Sequence, residues 1–182
     1  MKVVAIVGSI RKESYNLKLA HFIQKRYQGK FTLEILNIRE LPFFDEDIEN
    51  NPPSAVTEFK RKVAGADAVL WVTPEYNGTI PGVLGNAIDW LSRVEVMFGK
   101  PSWIVGATPG FLGTVKAQLH LREILFSLSS PLLPGNEVYV GAVHQKFNDD
   151  GELIDEVTVK FFDSVVNNFL VWFNQQQRVN SK

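Results

Sequence analysis

Apolar residues along this chain fall into two alternating kinds of run. Short, nearly unbroken ones occupy residues 3–7, 33–36, 68–72, 103–106 and 138–143. A strand covered on both faces has this pattern, because neither row of its side chains meets water. Between these runs the apolar positions recur every three or four residues. Leu17, Ala20, Ile23 and Tyr27 make one stripe, Val56, Phe59 and Val63 a second, and Val83, Leu84, Ala87, Ile88 and Leu91 a third. Residues 115–128 give a fourth, and Val157, Phe161, Phe162, Val165, Phe169 and Trp172 a last one. Such stripes are the buried faces of helices, and Pro81 suits the first turn of the third.

Strand and helix alternate five times, which predicts an α/β fold with a parallel sheet between two helical layers. Five strands fit a flavodoxin-like three-layer sandwich of order 2-1-3-4-5 better than a six-stranded dinucleotide fold. In such sheets ligands bind beyond the carboxyl ends of the strands, beside the switch point between strands 1 and 3. The loops that matter therefore follow Val7, Val72 and Ala107. "ENNPPS" (residues 49–54) reads as a stiff connection and "NDDGE" (residues 148–152) as a tight turn. With 182 residues and no internal repeat or low-complexity linker, residues 1–182 are expected to form a single domain.

Composition narrows the chemistry. A chain that is 45% hydrophobic and 21% charged is of the ordinary globular kind. Its net charge is −1 and no basic block stands out, so neither nucleic acid nor an anionic membrane is an expected partner. There is no cysteine, which excludes disulfides, thiolate zinc sites and cysteine nucleophiles. His21, His120 and His144 are scattered, so no metal site is expected. The opening "MKVVAIVGS" is too short for a signal-peptide core or a membrane span, and no later run reaches membrane length. The cytoplasm is the expected compartment.

The loop after strand 1 reads "GSIRKESYN". The dinucleotide pattern G-x-G-x-x-G fails, because Gly8 is the only glycine before Gly29. The Walker pattern fails too, lacking both its glycines and its Lys-Ser/Thr ending. What remains is a loop rich in hydroxyls and amides that enters a helix, with Ser9, Arg11, Ser14 and Asn16. A helix N-terminus offers unpaired N–H groups and a partial positive charge, and Arg11 adds a charged donor. These groups suit a terminal monophosphate rather than a bridging pyrophosphate. The plainer alternative is that Ser14 only caps the helix and Arg11 is solvated.

"TPEYNGTIPGVLGNAIDWL" follows strand 3, and Pro74, Asn77, Gly78, Pro81 and Gly82 make its loop more elaborate than a simple connection. Backbone N–H groups of such a loop suit the edges of a planar heterocycle such as an isoalloxazine. Asn77 offers a further bond and Tyr76 an aromatic surface. Asp89 and Trp90 lie further on and read as structural or interfacial.

Together with "ADAVLWVTPEYNGTIPGVLGNAIDWL", "GKPSWIVGATPGFLGTVKAQLHLREIL" and "LPFFDEDIE", the first loop makes the sequence resemble the NADPH-dependent FMN reductase family of flavodoxin-like proteins. That family includes bacterial quinone, azo-dye and chromate reductases. The resemblance implies that Ser9, Arg11, Ser14, Asn16 and Leu17 hold the FMN phosphate. It implies that Pro74, Glu75, Tyr76, Asn77 and Gly78 flank the flavin ring, with Thr108 and Gly110 of the loop at residues 108–113 closing the other side. Three positions depart from the family pattern. Gly85 stands where lysine is frequent, Thr108 where serine is common, and Lys116 carries the charge that an arginine normally supplies.

The activity implied is hydride transfer from NADPH or NADH, through bound FMN, to a small-molecule electron acceptor such as a quinone, azo compound or chromate. An open flavin face implies ping-pong kinetics, and open faces at subunit boundaries imply a homodimer or homotetramer. No protein acid or base is demanded. Glu75 is weighed as a general acid against a loop-fixing or subunit-contact role, and the second is favoured. No basic cluster marks a 2′-phosphate site, and Arg11, Lys12 and Lys116 are the nearby cations. The rival readings are a flavodoxin-like electron carrier, against which the net charge of −1 speaks, and a flavin-binding protein without turnover.

Overall fold

The five apolar runs form one parallel sheet of strands β1 (Lys2–Val7), β2 (Thr32–Leu36), β3 (Ala68–Val72), β4 (Ser102–Ala107) and β5 (Val138–Val140), in the order β2-β1-β3-β4-β5. This is the expected order. The computed structural model describes residues 1–180, with side chains to residue 178, so the last two positions of the expected 1–182 domain lie outside it. Helices α1 (Tyr15–Arg26), α2 (Ser54–Ala64), α3 (Gly82–Ser92), α4 (Val115–Ser127) and α5 (Glu156–Asn180) cover the sheet.

Alternation along the buried strands divides the core in two. Val3, Ala5 and Val7 of β1 face α1 and α5, whose Leu19, Ile23, Phe162 and Phe169 are fully buried. Val4 and Ile6 face the opposite layer of α2, α3 and α4, represented by Phe59, Leu84 and Leu121. Each such side chain contributes roughly 1.5–3 kcal/mol by leaving water. Trp71, Trp90 and Trp103 are core residues. Trp103 stacks on Phe169 at 4.8 Å, and Trp90 donates its indole N–H to the Pro42 carbonyl at 2.9 Å.

Two expectations are corrected. The run at residues 138–143 is strand only to Val140. Ala142 then takes a left-handed conformation (φ 48°) and a 3-10 turn follows at Val143–Gln145. The buried face of α5 is formed by Phe162, Val165, Val166, Phe169 and Phe173, whereas Val157 and Phe161 are exposed. Pro81 sits at the N-cap of α3, one position before the helix proper. The "NDDGE" turn is real: Phe147 and Leu153 pair across it, and Gly151 supplies a φ of 77°.

The register brings the site together. Val7 of β1 is level with Val72 of β3, and Val72 is paired with Val105 of β4. The three loops that leave these strands therefore emerge side by side at one edge of the sheet.

Candidate functional site

The first loop begins with Gly8, whose N–H donates to the Val72 carbonyl at 2.8 Å. A Cβ here would meet Leu84 Cδ2 at 3.0 Å, so close packing against α3 favours glycine. Ser14 is buried and caps α1, its Oγ accepting the Leu17 N–H at 3.3 Å. The capping half of the plainer alternative is thus present. The N–H groups of Tyr15 and Asn16, in the same first turn, have no intrahelical acceptor. Arg11 is exposed; it donates to the Glu13 carbonyl, and its guanidinium carbon lies 5.8 Å from the centre of the Tyr15 ring.

Asn16 is buried, and each end of its side-chain amide makes one hydrogen bond. Nδ2 donates to the Ala107 carbonyl at 2.8 Å and Oδ1 accepts the Ala107 N–H at 2.9 Å. The pair ties the start of α1 to the end of β4.

The second loop is a tight hairpin. Tyr76 and Thr79 exchange backbone hydrogen bonds of 3.0 and 3.1 Å, with Asn77 (φ 53°) and Gly78 (φ 73°) between them. Asn-Gly is the pair selected by a turn with two left-handed central residues. Glu75 Oε2 accepts the N–H groups of Lys116 at 2.9 Å and Ala117 at 3.2 Å. Thr114, in the N-cap position of α4, makes no side-chain cap, so Glu75 does that work from another loop. A carboxylate at a helix N-terminus is doubly favoured, by its hydrogen bonds and by the helix dipole. Of the two roles weighed for Glu75, the geometry displays the loop-fixing one. His120 Nδ1 and Thr79 Oγ1, 2.9 Å apart, make a second tie between hairpin and α4.

The third loop, residues 108–113, is pinned by the turn that ends β5. The Thr108 N–H donates to the Val140 carbonyl at 3.0 Å, and the Thr108 and Gly110 carbonyls accept from Val143 at 3.1 Å and Ala142 at 2.9 Å. Beneath the second and third loops lies Gly106, where a Cβ would collide with Thr114 Oγ1 and the Thr73 carbonyl. Phe111 and Leu112 stand almost fully exposed at the loop tip.

These loops enclose a cleft of about 220 Å³. The first loop and helix start line it with Ser9, Arg11, Ser14 and Asn16, the hairpin with Pro74, Glu75 and Tyr76, and the third loop with Thr108. Asn77, Gly78 and Gly110 are outside this lining, and Leu17 lines a neighbouring pocket on the far side of the first loop. Tyr15 and Pro109 line the cleft without having been singled out from sequence. Arg39 was also passed over; it lies at the neighbouring pocket and donates to the Ile10 carbonyl. Its signal was its place just after strand 2, whose end must lie at the site edge of a parallel sheet.

The residues present fit a flavin mononucleotide. One end of the cleft gathers hydroxyls, a guanidinium and the positive end of α1. The acid in its lining, Glu75, turns a carboxylate oxygen onto α4, where two N–H groups meet its charge. The other end is a slot between two backbone-rich loops, wide enough at its mouth for Tyr76 to remain half-exposed. Among the described residues no cluster of histidine and carboxylates is arranged for a metal, and no helix is long and apolar enough to cross a membrane.

Fold and site together define a flavodoxin-like α/β protein with a cleft at the switch point of its sheet, between the loops that follow β1, β3 and β4. The chain belongs to the NADPH-dependent FMN reductase family, whose sequence model matches residues 1–145. FMN and NAD(P)H, the cofactors expected from the sequence, are those of this family. A 2-hydroxy-1,4-benzoquinone reductase from a Burkholderia species is 34% identical over 97% of this chain and 98% of that protein. The NADH-dependent flavin reductase subunit 2 of Lactobacillus johnsonii is 39% identical over 98% of this chain and 100% of its own. Among solved structures, the flavoenzyme NAD(P)H:(acceptor) oxidoreductase FerB from Paracoccus denitrificans superposes with a TM-score of 0.89 at 34% identity, covering 96% of this chain and 98% of FerB.

Proposed function

We propose that residues 1–182 act as one FMN-binding domain of a cytoplasmic reductase that takes electrons from NADPH or NADH and delivers them to quinones and similar small acceptors. The observation that carries this reading is the convergence of Ser9, Arg11 and the first turn of α1 with residues 74–76 and Thr108 around one cleft. FMN held here would supply the redox chemistry between nicotinamide and acceptor.

The chain's own residues hold and orient. Ser9, Arg11, Ser14 and the N–H groups of Tyr15 and Asn16 receive the phosphate, with Leu17 behind the loop. Residues 74–78 and the loop with Thr108 and Gly110 would flank the ring. The backbone N–H groups of Glu75, Asn77 and Gly78, which make no backbone hydrogen bond among the described residues, would be the donors for its polar edge. Glu75 keeps the hairpin against α4 and moves no proton. The cleft is open on one side, so donor and acceptor would use the same opening in turn, with ping-pong kinetics as the consequence. Exposed Tyr76, Phe111 and Leu112 around the mouth support assembly as a homodimer or homotetramer.

The test is to mix the protein with FMN, NADPH or NADH, and benzoquinone. Rapid nicotinamide oxidation, with parallel double-reciprocal lines as the second substrate is varied, is the expected result. Flavin binding without nicotinamide turnover would remove the enzymatic reading.

A further inference from the structure

On the far side of the first loop lies a second pocket, of about 290 Å³, between that loop and the end of β2. Its floor is apolar, with Val7, Leu17, Ile35 and Ile38. Its rim carries three cations, Arg11, Lys12 and Arg39, and no acid lines it. Lys18, Arg26, Lys62 and Arg93 each have a carboxylate within 4.0 Å. Among the described residues none of the three rim cations has one, a condition they share with scattered cations such as Lys60 and Lys116, but here three of them meet at one pocket.

Arg39 is held in place before any ligand arrives. Its backbone N–H donates to Asn37 Oδ1 at 2.9 Å, and its guanidinium donates to the Ile10 carbonyl of the first loop. Further N–H donors of the guanidinium remain for a ligand. Ser9 and Arg11 line both this pocket and the flavin cleft, so the two cavities share a wall.

We propose that this pocket receives the adenosine 2′-phosphate end of NADPH, with the purine on the apolar floor and the phosphomonoester between Lys12 and Arg39. The proposal rests on the reductase reading, since the nicotinamide end would have to reach the open face in the adjoining cleft. An apolar floor suits a ring system, and a cationic rim with no acid suits a dianion through charge-assisted hydrogen bonds. NADH presents a hydroxyl at the same place and leaves the rim cations without a counter-charge. The pocket thereby favours NADPH through Lys12 and Arg39, two residues outside the flavin cleft.

The holoprotein is titrated by calorimetry with 2′,5′-ADP, with 5′-ADP and with inorganic phosphate. Binding of 2′,5′-ADP at least about tenfold tighter than both others is expected, and loss of that margin in Arg39→Ala and in Lys12→Ala. In steady state each variant should raise KM for NADPH about tenfold, with KM for NADH, kcat and the flavin spectrum unchanged. Lys12 is exposed and makes no ion pair among the described residues, so Lys12→Ala reads the pocket even where Arg39→Ala fails to fold. Equal binding of 2′,5′-ADP and 5′-ADP would overturn the proposal, as would inorganic phosphate matching 2′,5′-ADP or a full NADPH preference retained in Lys12→Ala. Failure of the reductase reading appears separately, as nicotinamide left unoxidised, while calorimetry still reads the pocket.

Discussion

The loop at residues 8–14 and the hairpin at residues 74–79 face one another across a single cleft, yet they are held very differently. The hairpin is closed by its own two backbone bonds, tied to α4 through Glu75, and tied again through Thr79 and His120. The first loop lacks such a closure: Gly8 bonds to β3, Ser14 caps α1 and Arg39 reaches across to the Ile10 carbonyl, while Ser9 and Arg11 remain accessible. The contrast suits the proposed assignment of the ring to the hairpin and the phosphate to the first loop. A ring needs a slot of fixed width, whereas a phosphate brings its own charge and several oxygens to the loop that binds it.

Changes at both loops, at one, or at neither should separate these two designs. Gly106→Ala strikes the shared foundation, because its Cβ collides with Thr114 Oγ1 and the Thr73 carbonyl; a stability loss of about 3 kcal/mol is expected in denaturant unfolding of the apoprotein. Arg11→Ala should weaken FMN binding by about 10–100-fold, as for loss of a charge-assisted bond, while apoprotein Tm stays the same. An equal FMN affinity in titration would move the phosphate elsewhere. Glu75→Ala should do the reverse, costing about 1 kcal/mol of apoprotein stability through the lost cap, with a smaller effect on FMN affinity than Arg11→Ala. A kcat lost in Glu75→Gln together with one limb of the pH profile would restore its role as an acid. Gly85→Ala touches neither loop. A Cβ there meets nothing within 4 Å, and a stability gain of about 0.5–1 kcal/mol is expected from replacing glycine inside α3.

Sequence periodicity revealed the sheet and its helices because burial on both faces leaves so plain a pattern. It misread β5 for the same reason. Residues 138–143 are apolar throughout, but Gly141 packs where a Cβ would strike the Phe111 carbonyl, and Ala142 turns the chain back toward the third loop. Only a tertiary contact separates this from a longer strand. Asn77 and Gly78 were legible as a turn because local backbone chemistry decides it. Asn16 was legible as an amide at the start of α1, but not its side-chain bonds to Ala107. Arg39 carried no periodic signal and depends for its meaning on which strand end lies beside it.

The doubled bond between Asn16 and Ala107 joins positions 91 residues apart. The start of α1 therefore acquires its final setting only once β4 has docked beside β3, and closing a loop of that length costs entropy that only the docked strand repays. A form of the chain in which β4 is undocked lacks the finished first turn of α1. FMN then acts on the completed protein alone, adding about 2.7 kcal/mol when its concentration is a hundred times its Kd. In a cell short of flavin, this reductase would be made and folded as usual, but would be the less durable for lacking its cofactor.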